Sequence, residues 1–214
     1  MASELRIDLL RHGEVAGGRK LRGARTDDPL TERGWRQLQQ ATGQSGPWDR
    51  VVSSPLVRCR AFAESLTGAD LRVDPRLSEY DFGDWDGCPL DALWAEQGDA
   101  LAAFLSDPGL VTPPNGEAAS EFCTRVRAAW DDLVGSPDAG EHILVIGHGG
   151  VLRQWLAGAL GAPMAAHASI EWPHGALSRL RVYLDPPHPR SVSLAFHARV
   201  AEGLEPRMNT DEHG

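Results

Sequence analysis

The chain has 214 residues, 42% of them hydrophobic, and a formal net charge of −9 at pH 7. A chain of this size buries about 70% of its unfolded surface as one domain, and its acidic balance argues against a generic nucleic-acid or anionic-membrane binder. No apolar run approaches the ~20 residues that span a bilayer.

The opening "MASELRIDLL" lacks the basic start, long apolar middle and small-residue cleavage site of a secretory signal. Three cysteines, Cys59, Cys88 and Cys123, show no CxxC spacing. Together these features predict a protein of the reducing cytoplasm.

In chain order, "LRIDLLR" (5–11) has strand length and apolar residues on both faces, as in a buried strand of an α/β sheet. Residues 30–42 read as a helix with Thr31 or Asp28 as its start signal. "DRVVSSP" (49–55) is a second strand, 56–66 a helix, and "DLRVDP" (70–75) a third strand ahead of the aromatic-acidic loop 77–87. Residues 89–105 are helical in period, and the prolines and glycines of 107–117 mark a loop. The segment 117–134 places Phe122, Val126, Trp130 and Leu133 on one core-facing helix side. "HILVIGHGG" (142–150) is the clearest strand, followed by a helix over 151–161. Strands at 177–184 and 192–198 are joined by the turn "DPPHPR", and a polar tail runs from 200 to 214, expected to be flexible. This alternation predicts a single α/β domain over 1–199, a three-layer α/β/α sandwich with a mostly parallel central sheet.

In such sheets ligands gather at the carboxyl ends of the strands. Two strands end alike, in "LLRHG" and "VIGHG", which puts His12 and His148 at equivalent places, each before a glycine that lets backbone amides approach a ligand. Charge is uneven as well: residues 1–60 hold 11 Lys and Arg against 7 Asp and Glu, and the remainder 10 against 23. Neutral imidazole is a good nucleophile at phosphorus, and adjacent guanidinium groups keep it unprotonated while they bind phosphate oxygens in bidentate fashion. With a carboxylic acid to protonate the leaving oxygen, this set supports phosphoryl transfer to histidine without a metal or cofactor. Other chemistries lack their signatures. There is no GxSxG elbow, no GxGxxG, no GxxxxGK[ST] around the single Lys20, and no zinc spacing among His and Cys.

The ordered blocks "LLRHGE", "DDPLTERG", "SSPLVRC", "LSEYDFGDWDG", "PPNGE" and "VIGHGG" resemble the histidine phosphatase (phosphoglycerate mutase-like) superfamily from about residue 5 to 184. The short segment "GGRKLRGARTDDPLTERGW" resembles its α-ribazole phosphatase branch, whose members remove the 5′-phosphate of a ribazole nucleotide in assembly of the cobalamin lower ligand. The resemblance implies His12 as the nucleophile, Arg11 and Arg58 as phosphate clamps, His148 as a phosphoryl contact, and Glu79 as proton donor and later base. It implies Arg22, Gly23 and Gly149 as substrate-binding positions, with the "PPNGE" loop bordering an outer pocket.

The resemblance also implies a small phosphorylated substrate, no nucleic-acid or membrane partner, and no bound metal. The sequence does not fix the oligomeric state, a homodimer being one option. Asp81, Asp84 and Asp86 are expected to be solvated loop carboxylates. The chain departs from the pattern at Val15, where a Thr is usual, and at Gly17-Gly18, where many members carry a phosphate-contacting Asn.

Overall fold

In the computed structural model, which describes residues 4–43, 46–66, 68–135, 141–184 and 191–200, strand β1 (Glu4–Arg11) lies inside a six-stranded sheet. Its other strands are β2 (Arg50–Ser53), β3 (Asp70–Val73), β4 (His142–Gly147), β5 (Leu177–Tyr183) and β6 (Ser191–Arg199), in the order β3-β2-β4-β1-β5-β6. The pairs β3–β2, β2–β4 and β4–β1 are parallel, whereas β5 runs antiparallel to β1 and β6 antiparallel to β5. The sheet is therefore mostly parallel, with an antiparallel extension at one side. The expected turn at 185–190 and the tail at 201–214 lie outside the described residues.

Alternation along the strands sends side chains to two cores. Leu5, Ile7 and Leu9 of β1, with Ile143 and Val145 of β4, face α3 (Leu90–Ser106), α4 (Ala119–Gly135) and α5 (Gly149–Ala159). Leu10, Leu144 and Ile146 face α1 (Glu32–Thr42) and α2 (Val57–Ser65) through Leu38, Ala41, Cys59 and Phe62. That is the expected three-layer sandwich. Of the two start signals proposed for α1, Thr31 is the cap, its hydroxyl accepting from Gly34 N at 3.0 Å. Helix α3 is broken at Gln97 (φ −138°), whose Oε1 accepts from Trp85 Nε1 at 2.7 Å. No helix among the described residues is long and apolar enough to cross a membrane.

One polar cluster is set into the α1–α2 face of the sheet. Asp8 is fully buried and faces its register partner Arg179 on β5, which donates to it through Nε at 2.6 Å and Nη2 at 2.9 Å. Trp48 Nε1 donates to Asp8 Oδ2 at 2.9 Å, and His142 Nε2 lies at the same distance. A carboxylate removed from water needs these partners to offset its lost hydration.

Candidate active site

Parallel pairing brings the carboxyl ends of β1 and β4 side by side, with Arg11 and Gly147 as register partners. His12 N donates to Gly147 O at 3.0 Å, so the residues following the two strands, His12 and His148, are neighbours with ring centroids 5.2 Å apart. The strand expected to run to Gly150 stops at Gly147, and α5 begins at Gly149 with the extended His148 as its cap. Glycine is demanded at the second of these positions: a Cβ on Gly150 would lie only 2.5 Å from Glu79 Oε1, whereas one on Gly149 would make ordinary contacts with Arg153 and Arg11 at 3.4 and 3.6 Å. Gly150 thus lets the first turn of α5 pack directly against the Glu79 carboxyl.

Hydrogen bonds assign the ring protons. His12 Nδ1 lies 2.8 Å from Gly13 O, which can only accept, so the proton sits on Nδ1 and the Nε2 lone pair is left for chemistry. His148 Nδ1 accepts from Arg58 Nε at 3.2 Å, so its Nε2–H donates to Ser54 Oγ at 2.7 Å. Arg58, fully buried at the start of α2, also donates to Thr26 O at 2.6 Å and Gly23 O at 3.0 Å. Gly23 is required where it stands: a Cβ there would lie 2.3 Å from Tyr80 O. Cys59 Sγ lies 3.6 Å from His148 Nε2, but burial pushes its thiol up to about 12, so it is a neutral wall of the pocket.

Glu79 is buried beside the first turn of α5 and accepts from Tyr80 N at 2.9 Å and Gly150 N at 3.1 Å. Arg125 of α4 pins this loop through the carbonyls of Arg76, Ser78 and Glu79, at 2.7, 2.8 and 3.0 Å, and is itself paired with Glu117. The "PPNGE" segment contacts the same loop, with Asp84 N donating to Pro114 O at 2.8 Å and Glu117 N to Asp81 O at 3.0 Å. Gly150→Ala is therefore expected to displace the Glu79 carboxyl and lower kcat about 10²-fold, with little change in phosphate affinity. Steady-state kinetics with inorganic phosphate as competitor measures both.

Arg22 lies near the pocket, and its guanidinium donates to Asp28 Oδ2 and Ala16 O, both at 2.8 Å, and to Gly18 O. Gly17 and Gly18 are both left-handed (φ +88° and +73°), which turns this loop around Arg22. Of the loop carboxylates, Asp84 is exposed as expected, whereas Asp81 and Asp86 are half-buried. Asp86 accepts from Gly23 N and Arg25 N at 3.0 and 2.8 Å, Asp81 pairs with Arg25, and Asp84 accepts from Asn115 at 2.8 Å.

His174 lies outside the sequence motifs that mark the site. Because β5 is antiparallel to β1, it starts at the edge where β1 ends, and the loop before it delivers a third imidazole, 5.1 Å from that of His12. Burial, then His174, His148, Arg58 and Arg11, hold His12 well below the ordinary 6.5. Burial with Arg58, Arg11 and Arg125 does the same to His148, and burial with Arg11, Arg22, Arg58 and Arg33 to His174. All three rings are neutral in a pocket whose fixed charge is cationic. Among the described residues no group of three or more His, Cys, Asp or Glu is arranged to hold a metal ion.

This arrangement accords with the family comparison, in which residues 7–194 match the histidine phosphatase superfamily, branch 1. The chain belongs to that superfamily. Among its relatives in the histidine phosphatase superfamily, an adenosylcobalamin/α-ribazole phosphatase of Salmonella typhimurium is 34% identical over 171 residues, 76% of this chain and 83% of that protein. A probable phosphoglycerate mutase, GpmB of Yersinia pestis, is 31% identical over 184 residues, 82% of this chain and 84% of that protein. The structure of a mycobacterial glucosyl-3-phosphoglycerate phosphatase with inorganic phosphate superposes with a TM-score of 0.78 at 27% identity, over 92% of this chain and 98% of that one.

Proposed function

We propose that the protein is a metal-independent phosphomonoesterase that works through a phosphohistidine on His12, with α-ribazole 5′-phosphate as its substrate. The observation that carries this reading is the pocket at the ends of β1 and β4. There an imidazole with a free Nε2 lone pair stands beside Arg11, Arg58 and a backbone-anchored carboxyl, Glu79. The ribazole assignment draws on the name of the 34% identical relative and on the compact segment between His12 and α1.

The reaction has two displacements. His12 Nε2 attacks phosphorus, the P–O ester bond breaks, and its electron pair leaves on the ester oxygen, which takes a proton from Glu79. Arg11 and Arg58 hold the phosphoryl oxygens as charge redistributes. Water then gives a proton to the Glu79 carboxylate and attacks phosphorus. The P–N bond breaks, releasing inorganic phosphate and returning His12 to its neutral form. Leu10, Leu144 and Ile146 behind the strand ends, with fully buried Ser54 and His148, keep the floor of the pocket rigid.

The relatives named for phosphoglycerate and glucosyl-phosphoglycerate chemistry favour one second reading, a phosphatase for sugar or glycerate phosphates. A panel of α-ribazole 5′-phosphate, 3-phosphoglycerate and sugar phosphates, assayed in EDTA, separates the two. The ribazole ester is expected to give the highest kcat/KM, with EDTA without effect. A flat profile would remove the ribazole assignment, and activity abolished by EDTA would remove the metal-free mechanism.

A further inference from the structure

We propose that His174 is a substrate-contacting residue of this pocket, its imidazole donating a hydrogen bond to the phosphoryl group that His12 attacks. The inference rests on the phosphatase reading and adds a residue outside the six sequence blocks that define the site. Its basis is the placement of a second imidazole beside His12, on the side away from the β4 strand end that carries His148. His174, as close to His12 as His148 is, makes no side-chain hydrogen bond among the described residues.

The segment carrying His174 is built around the reactive strand end. Gly175 N donates to both Arg11 O and His12 O, at 3.2 and 3.1 Å, and Ala176 N closes the turn onto Pro173 O at 3.1 Å. Gly175 is left-handed (φ +70°), and a Cβ there would meet Gln37 Cβ at 2.7 Å, so the turn is seated directly against α1. Arg11 Nη1 in turn donates to Trp172 O. The backbone on either side of His174 is thus tied to the end of β1, which sets where its imidazole enters the pocket.

Burial, then the charges of Arg11 from β1, Arg22 from the loop after β1, Arg58 from α2 and Arg33 from α1, hold His174 well below the ordinary 6.5. A neutral imidazole carries one N–H donor. An entering phosphate offsets the guanidinium charge that opposes any further protonation.

The test uses inorganic phosphate as the probe, so that it does not depend on turnover. His174→Phe keeps a ring and removes both nitrogens, His174→Ala removes the ring, and His174→Gln restores an N–H donor. Calorimetric titration is expected to show phosphate binding weakened about tenfold or more in the Phe and Ala variants, with recovery of at least part of it in His174→Gln. Binding within twofold of wild type in Phe or Ala would overturn the proposal, as would a loss that Gln does not relieve at all. If His174→Phe does not fold, the Ala and Gln pair carries the same comparison. Failure of the wild-type protein itself to bind phosphate or hydrolyse monoesters would instead count against the phosphatase reading.

Discussion

His12→Ala is expected to lower kcat for p-nitrophenyl phosphate by about 10⁴-fold or more, because it removes the nucleophile and with it the covalent route. The fold should survive. The imidazole's own hydrogen bond is a local one to Gly13 O, and the backbone bonds of residue 12 to Gly147 and Gly175 do not involve the side chain. Phosphate should still bind, since Arg11 and Arg58 remain. A large kcat loss with an unchanged melting temperature and retained phosphate affinity is therefore the expected pattern. The wild-type pH profile follows from the same pocket. A histidine held well below 6.5 stays unprotonated as pH falls through its ordinary range. The acid limb of kcat/KM should therefore lie below pH 6.5, and a limb centred there would contradict the burial argument.

Asp8→Ala is expected to destabilise the fold by about 3 kcal/mol, the low end for breaking a buried ion pair because Arg179 keeps some access to water. The substitution leaves Arg179 Nε, Trp48 Nε1 and His142 Nε2 without their common partner. The pH dependence has a definite sign. Burial alone would raise the Asp8 carboxyl, but hydrogen bonds from Arg179, His142 and Trp48 outweigh it and hold the group below 3.8. Its contribution is thus complete above the unfolded value and is lost as pH falls through the lower folded value. Urea unfolding should show a wide gap between wild type and variant at neutral pH, narrowing in strong acid. A constant gap would mean that Asp8 acts by packing and not by charge.

The reaction centre was legible where the fold repeats itself. Arg11 ends β1, and His12 and His148 follow two parallel strands that pair directly, each marked by an apolar run and then a His. The α/β/α layering was legible for the same reason, since β1 and β4 are apolar on both faces. Other features depend on pairing geometry, which no local pattern carries. His174 precedes a strand instead of following one, and only the antiparallel sense of β5 brings it to the site. Arg125 reads as one more helix arginine until its guanidinium meets three carbonyls of the Glu79 loop. Asp8 did leave a trace, a lone carboxylate in "LRIDLLR", but its partners come from β4, β5 and the segment before β2. The start of α5 was missed because strand pattern and glycine tolerance point in opposite directions at Gly149-Gly150.

The central claim is the covalent bond between phosphorus and His12 Nε2. Rapid quenching of a single turnover into alkali, followed by peptide mass spectrometry, tests it most directly. The peptide containing His12 should gain one phosphoryl group early and lose it as inorganic phosphate appears, and His12→Ala should show no such species. Hydrolysis at the full rate with no phosphorylated His12 at any time, or with phosphate on another residue, would contradict the account.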